Sequence, residues 1–305
     1  MSSANYKVLS IQSHVVSGYV GNKSATFPLQ VLGFEVDPIN SVQFSNHTGY
    51  GVFKGQVLNE NHLGELVEGL KINQLDQSYT HLLTGYIGSP SFLYKVAEVV
   101  HHLKKVCHNL TYICDPVMGD NGAMYVPQDL LPIYRDTIVP LADIVTPNQY
   151  ELELLTQKPV RSIADAWAAV DWFHEKGIKT VAISSSQLSS NNNQLLALAS
   201  TMADGKCKRA TIEIPLLDAT FTGTGDLFAA LFLAWMAKSN NNIYEALEKT
   251  QNTIQAVLKR TLDYAKQDLK NKKDKPSVGQ LELRLIQSKK DIEDVEVLLK
   301  AKVIS

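Results

Sequence analysis

The sequence predicts an α/β protein: a central, mostly parallel β-sheet with helices on both faces. Three observations lead there. Short apolar runs alternate with longer stretches of helical period, the pattern of strand–crossover–strand units. Several of the short runs end in polar residues, at Ser13-His14, Thr84-Gly85-Tyr86, Asp115-Pro116, Thr146-Pro147-Asn148 and Ser184-Ser185. Open sheets of this class bind ligands beyond the carboxyl ends of their strands. Finally, hydrophobic residues make up 45% and charged residues 20%, a composition that buries a core and excludes a disordered chain.

The elements follow in order. Residues 8–11 read as a buried strand, 21–32 as a helix ended by Gly33, and 34–42 as extended chain. A helix is expected at 63–72 and a strand at 81–84, stopped by Gly85. Within 92–106, Val96, Val99, Val100 and Leu103 recur at spacings of three and four, a helical stripe. Strands follow at 110–114 and 143–145. A helix at 163–175 and a strand at 180–183 continue the alternation, and 195–200 and 210–214 read as a meander after the polar loop 184–194. Residues 226–238 form a strongly apolar helix, 239–242 a polar break, and 243–269 one long helix or two. The charged stretch 270–275 reads as a solvated linker, with a nucleic-acid patch as the alternative. With no internal repeat and no domain linker, residues 1–305 are expected to form a single domain.

Lys and Arg number 29 against 31 Asp and Glu, a net charge of −2, which argues against a nucleic-acid binder or a polybasic membrane-surface protein. Cys107, Cys114 and Cys207 are odd in number and lack Cys-x-x-Cys spacing, so they read as small buried hydrophobes in a reducing compartment. No signal peptide pattern opens the chain, and the longest apolar run, 227–237, is too short for a bilayer. A soluble, cytoplasmic protein is expected.

The sharpest chemical signal is Gly223-Thr224-Gly225-Asp226, where a loop enters the apolar helix. Glycines allow close backbone approach, and free N–H groups at a helix start attract phosphate. Asp226 could accept the proton of an attacking hydroxyl, or merely cap the helix. A P-loop is absent, and Phe228 fills the last glycine position of a dinucleotide fingerprint. Asp115 and Asp120, five apart in a turn, could hold Mg²⁺ directly or through water, or could be ordinary turn residues. Thr146 suits an N-cap, Pro147 the first helical position and Gln149 a capping box, which leaves Asn148 and Glu151 on one face toward a metal–phosphate group. Ser13-His14 and the segment 45–50 carry hydroxyl and imidazole groups that could read a heteroaromatic edge or serve structure alone. No zinc spacing and no Gly-x-Ser-x-Gly elbow occurs.

Together these segments resemble the ribokinase-like small-molecule kinases, through Gly223-Thr224-Gly225-Asp226 late in the chain. Within that group the chain is similar to the pyridoxal kinase family. The opening 8–15 with Gly18-Tyr19-Val20-Gly21-Asn22, the segment 41–50, Leu83-Thr84-Gly85-Tyr86, Cys114-Asp115-Pro116-Val117, Thr146-Pro147-Asn148, 280–284 and 291–294 stand in the family's order along nearly the whole chain. The resemblance implies a ribokinase-like fold with a small flap over the substrate. It implies transfer of the ATP γ-phosphate to the 5′-hydroxymethyl of pyridoxal, pyridoxine or pyridoxamine, in a cytosolic homodimer. Asp226 becomes the general base and the N–H groups of Gly223, Thr224 and Gly225 the anion hole. Ser13 and Thr48 would contact ring substituents, and Val20 and Tyr86 would lie along the ring. Asp115, Asn148, Glu151, Ser184, Ser185 and Thr224 would line the phosphates and their ions, and Leu217 and Asp218 the nucleoside. Asp120 is the implied Mg²⁺ partner through water. Thr146, Glu151 and Ser184 would surround a monovalent cation, K⁺ by preference.

Three departures stand out. The stretch 119–125 is short, Thr222 is unusual before the glycines, and Ser184 replaces a commoner Thr while keeping its hydroxyl. The rival readings are a hydroxymethylpyrimidine-type kinase, a non-catalytic binder of pyridoxal phosphate, and a structural nucleotide-binding module.

Overall fold

The computed structural model describes residues 5–203, 205–269 and 275–304. In its first half the elements are β1 (Lys7–Val15), α1 (Asn22–Val31), β2 (Glu35–Phe44), β3 (Gly55–Val57), α2 (Glu60–Ile72), β4 (His81–Thr84), α3 (Pro90–Val106), β5 (Thr111–Cys114), β6 (Gly119–Asp120) and β7 (Ala123–Met124). Then come α4 (Leu130–Ile133), β8 (Ile144–Val145), α5 (Gln149–Thr156), α6 (Ile163–Glu175), β9 (Thr180–Ile183), β10 (Gln194–Ala203), β11 (Lys206–Pro215), α7 (Thr224–Lys238), α8 (Ile243–Gln267), α9 (Lys289–Glu293) and β12 (Lys302–Ile304).

Among the described residues ten strands form one sheet in the order β12-β11-β10-β9-β8-β5-β4-β1-β2-β3, and β6 pairs with β7 apart from it. Every neighbouring pair from β9 through β2 is parallel. The pairs β9–β10, β10–β11, β11–β12 and β2–β3 are antiparallel. The expected α/β sheet is therefore present, with antiparallel strands added at both edges.

Each central strand feeds both faces, because successive side chains point oppositely. Leu9, Leu82 and Tyr112 join one apolar cluster with Phe92, Val96 and Phe173 from α3 and α6. Their neighbours Val8, Leu83 and Ile113 join a second cluster with Leu29, Phe232 and Val257 from α1, α7 and α8. Helix α7 is buried on every side from Leu227 to Met236, as a helix apolar all round must be, and it packs between α1 and α8. α8 is one unbroken helix, started by Asn242, whose side chain accepts the Tyr244 N–H at 3.1 Å. Most of the expected charged linker, 270–274, lies outside the described residues.

Cys107 and Cys114 are buried as expected, but Cys207 is exposed. It pairs across the ladder with Met202 near the end of the β10–β11 hairpin, where both residues are exposed. No helix among the described residues is long and apolar enough to cross a membrane.

Phe232 is fully buried and stacks on Phe228, with ring centroids 5.6 Å apart. Phe232→Ala should lower stability by about 3–5 kcal/mol. Urea unfolding followed by circular dichroism measures this directly, and a loss under about 1 kcal/mol would show that α7 is loosely packed.

Candidate active site

The parallel strands bring their carboxyl ends to one edge of the sheet. There β1 delivers Ser13, and the turns after β4, β5, β8 and β9 deliver Tyr86, Asp115, Thr146 and Ser184. A cavity of about 990 Å³ opens over this edge. It gathers Ser13, Val20, Thr48 and Tyr86. It also gathers Asp115, Asp120, Thr146, Asn148, Glu151, Ser184, Ser185 and the turn Gly223-Thr224-Gly225-Asp226. Leu217 and Asp218 line an adjoining cavity of about 1240 Å³, which shares His47, Gly49, Leu216, Thr220 and Thr222 with the first. Thr222 thus stands at the junction of the two.

The glycine turn is shaped by its neighbours. Gly223 is the N-cap of α7 in the left-handed region, φ 83°, and a Cβ there would collide with the Tyr19 carbonyl oxygen. Ser24 Oγ donates to the Gly223 carbonyl at 3.1 Å. Asp226 therefore does not hold the N-cap position; it stands in the first turn of α7, half-buried against the cavity. Burial pushes its carboxyl up to about 6, against the pull of a hydrogen bond from the Gly21 backbone. Gly21 itself, φ 53°, lies so close to Ser13 that no side chain fits.

Asp115 is 4% exposed, and burial, then Glu151 and Asp226, raise its pKa well above the carboxylate range. Its Oδ2 and the Thr146 hydroxyl are both buried without a partner. Glu151 is buried beneath them; Oε1 accepts the Met118 N–H at 2.9 Å and Oε2 the Asn148 N–H at 2.9 Å. Burial still pushes Glu151 up to about 8. Asn148 is the true N-cap of α5, accepting the Glu151 N–H at 2.9 Å, and Glu151 closes the capping box. This replaces the expected cap at Thr146 with its box at Gln149. The chain is still extended at Thr146, whose N–H bonds the Cys114 carbonyl at 3.0 Å, so the helix starts two residues later. Asn148 Nδ2 also donates to the Gly119 carbonyl at 2.7 Å, tying α5 to the next turn.

That turn is a hairpin. Asn121 and Gly122 have φ of 50° and 80°, the pair of positive values of a type I′ turn. Asn-Gly is its strongest sequence signal. Asp120 is exposed and its oxygens accept from Asn121 N and Nδ2 at 2.7 and 3.0 Å. Asp115 and Asp120 are thus unlike: one is buried and unsatisfied, the other exposed and engaged. Among the described residues no three His, Cys, Asp or Glu side chains group as a ready metal centre. The donors still suit a hard cation, because two orphaned oxygens face raised carboxyls that a positive charge would ionise. Asp115, Thr146 and Ser184 could hold it, with Glu151 as charge behind them.

His47 is 5% exposed; its Nδ1 accepts the Gly49 N–H at 3.1 Å and Nε2 lies 3.2 Å from Glu282. It has a structural role. Phe44 and Tyr125 also line the first cavity and were not singled out as ring contacts from sequence.

Carboxyls raised by folding favour the native state at low pH and oppose it as pH rises. For Glu151 and Asp226 the loss runs from the ordinary carboxylate range up through about 8 and about 6. A cation that binds the ionised acids should offset that loss. MgCl₂ with KCl should therefore raise the melting temperature more at pH 8 than at pH 5, against tetramethylammonium chloride of equal ionic strength. Equal gains at the two pH values would remove the acids from cation binding.

The chain is similar to several known proteins. The family model described as phosphomethylpyrimidine kinase matches residues 66–271. The pyridoxal kinase of Sus scrofa is 54% identical over 309 residues, covering 98% of this chain and 95% of the pig protein. That of Homo sapiens is 50% identical, covering 98% of each chain. The solved pyridoxal kinase of Leishmania donovani in complex with ADP and pyridoxamine superposes with a TM-score of 0.90 at 34% identity, covering 99% of this chain and 100% of that one. The chain belongs to the pyridoxal kinase family, with the ribokinase-like fold of that group.

Proposed function

We propose that the chain transfers the γ-phosphoryl group of ATP to the 5′-hydroxymethyl of pyridoxal, pyridoxine and pyridoxamine. The observation that carries this reading is Asp226 in the first turn of α7, lining the same cavity as Ser13, Val20, Thr48 and Tyr86. The Leishmania relative, solved with ADP and pyridoxamine, supports the same pair of ligands.

Above about pH 6 Asp226 is ionised and can take the hydroxyl proton as the oxygen attacks phosphorus. The free N–H groups at Gly223, Thr224 and Gly225 receive the charge that spreads over the phosphoryl oxygens. Ser13 and Thr48 hydrogen-bond ring substituents, and Val20 and Tyr86 flank the ring. Asn148, Ser184, Ser185 and Thr224 position the phosphates, with Leu217 and Asp218 at the nucleoside. Mg²⁺ and K⁺ supply positive charge to the phosphate oxygens; Asp115, Thr146, Ser184 and Glu151 would hold them, with Asp120 through water. The segment 45–54 and the hairpin β6–β7 would form the small flap over the substrate. We assign this activity to residues 1–305 as one domain. A homodimer is supported by exposed Val16, Val52, Phe53 and Val57 near the β2–β3 edge.

The matched family model favours one second reading, phosphorylation of a hydroxymethylpyrimidine. The full-length pyridoxal kinase relatives, which span the Ser13–Thr48 segments as well, support B6 vitamers instead. A substrate panel separates the two: preference for hydroxymethylpyrimidine over every vitamer would replace the pyridoxal reading.

Formation of pyridoxal 5′-phosphate from pyridoxal and Mg-ATP, followed by absorbance, tests the rest. Asp226→Asn should lower kcat by roughly 10²–10⁴-fold. The wild-type kcat/KM should decline as pH falls through about 6, as Asp226 takes up a proton. Comparable rates from the two proteins would take the base role from Asp226. K⁺ should stimulate more than Na⁺, since hydroxyl, carbonyl and carboxylate oxygens surround the cation site. Equal rates in the two salts, with Mg²⁺ saturating, would refute that.

A further inference from the structure

Three stretches remote in sequence meet at one carboxylate. Glu282 follows the 3₁₀ turn Gly279–Leu281, in a segment packed against α8. Its Oε2 accepts the Tyr19 backbone N–H at 3.0 Å. Its Oε1 accepts the Tyr50 hydroxyl at 2.9 Å and lies 3.2 Å from His47 Nε2. Since Nδ1 of His47 accepts from Gly49, Nε2 carries the hydrogen and donates to Glu282. The rings of His47 and Tyr50 touch, with centroids 4.8 Å apart. Gly18, φ 92°, has no room for a Cβ because the Glu282 carboxylate fills it. Burial opposes the charge on Glu282, but the His47 and Tyr50 donors outweigh it and hold its pKa below the ordinary value.

The placement of this carboxylate is what matters. Tyr19 precedes Val20 and sets its carbonyl against Gly223. His47 precedes Thr48, and Val20, His47 and Thr48 all line the first cavity. The loop bearing Thr48 is otherwise held by local bonds, Tyr50 N to the His47 carbonyl, Ser45 N to the Lys54 carbonyl and Asn46 Nδ2 to the Val52 carbonyl, and at its base by Ser17 N to the Ser45 carbonyl. Among the described residues, the hydrogen bonds that tie 47–50 to a distant part of the chain are those to Glu282. Glu282 lines the adjoining cavity and not the first, so it acts through these neighbours.

We propose that Glu282 is a positioning residue for the vitamer: it locks the Thr48 loop to the Val20 turn and so sets the width of the ring slot. The proposal rests on the vitamer reading of the first cavity.

The test is steady-state kinetics on the full chain for Glu282→Ala, Glu282→Gln, Tyr50→Phe and the Tyr50→Phe/Glu282→Gln double variant, with folding checked by thermal melts. Losing hydrogen bonds to a half-buried charge should raise KM for pyridoxal roughly tenfold in Glu282→Ala, and KM for Mg-ATP much less. Glu282→Gln keeps the shape and part of the bonding, so it should recover part of that loss. Tyr50→Phe should move the same constant less, and the double variant should fall short of the product of the singles. If Glu282→Ala does not fold, the other three variants carry the test. Vitamer and nucleotide constants that move equally, or a double variant that equals the product of the singles, would overturn the proposal. A wild-type protein that does not phosphorylate pyridoxal would instead overturn the vitamer reading itself.

Discussion

The carbonyl oxygen of Tyr19 occupies the place where a side chain at residue 223 would begin. That close approach joins the first crossover of the sheet to the helix that carries Asp226. α1 and α7 share one apolar cluster, and α7 is buried on all sides, so neither can shift to relieve a larger residue. The Gly223–Asp226 turn is consequently placed by the core and not by its own loop. Catalytic geometry gains from such rigid support, because small displacements are expensive in rate. The 45–54 loop and the Asn121-Gly122 hairpin, which also line the cavity, are built differently, from largely exposed residues.

Two kinds of carboxylate, one half-buried and one buried, stand around these cavities. Glu282 is matched by its donors and stays ionised; it belongs to the scaffold. Asp115 is left with an orphaned oxygen and two acidic neighbours, and folding alone gives it no reason to be there. Native proteins satisfy nearly all their buried polar groups, so an unsatisfied acid points toward something that binds. Glu151 stands between the two: its bonds to Met118 and Asn148 hold α5 in place, yet burial still raises it.

Much of this was legible in the residues. The strands 81–84 and 180–183 and the helix 163–175 were read to the residue, because each is an apolar run or periodic stripe with clear stops. The polar strand ends did converge, since parallel strands place their carboxyl ends together. Reading failed where the deciding partner is distant in sequence. Thr146 looked like a cap, but its pairing with Cys114 keeps it extended. Cys207 looked like core, but its place near a hairpin end exposes it. Strands of two or three residues, such as β3, β6 and β12, are too short to show a period. The Asn121-Gly122 turn is different, because its signal is local: Asn-Gly accepts the two positive φ angles the hairpin needs.

Tyr19 and Glu282 lie 263 residues apart in the chain. Translation proceeds from the N-terminus at about 5–20 residues per second, so on the order of ten to fifty seconds separate their appearance. The nascent polypeptide can pair its parallel strands and bury α7 during that interval. What it lacks is the carboxylate that clasps the two lips of the ring slot. Until residue 282 has emerged, and β12 at the sheet's edge after it, the two lips of the proposed ring slot lack that clasp.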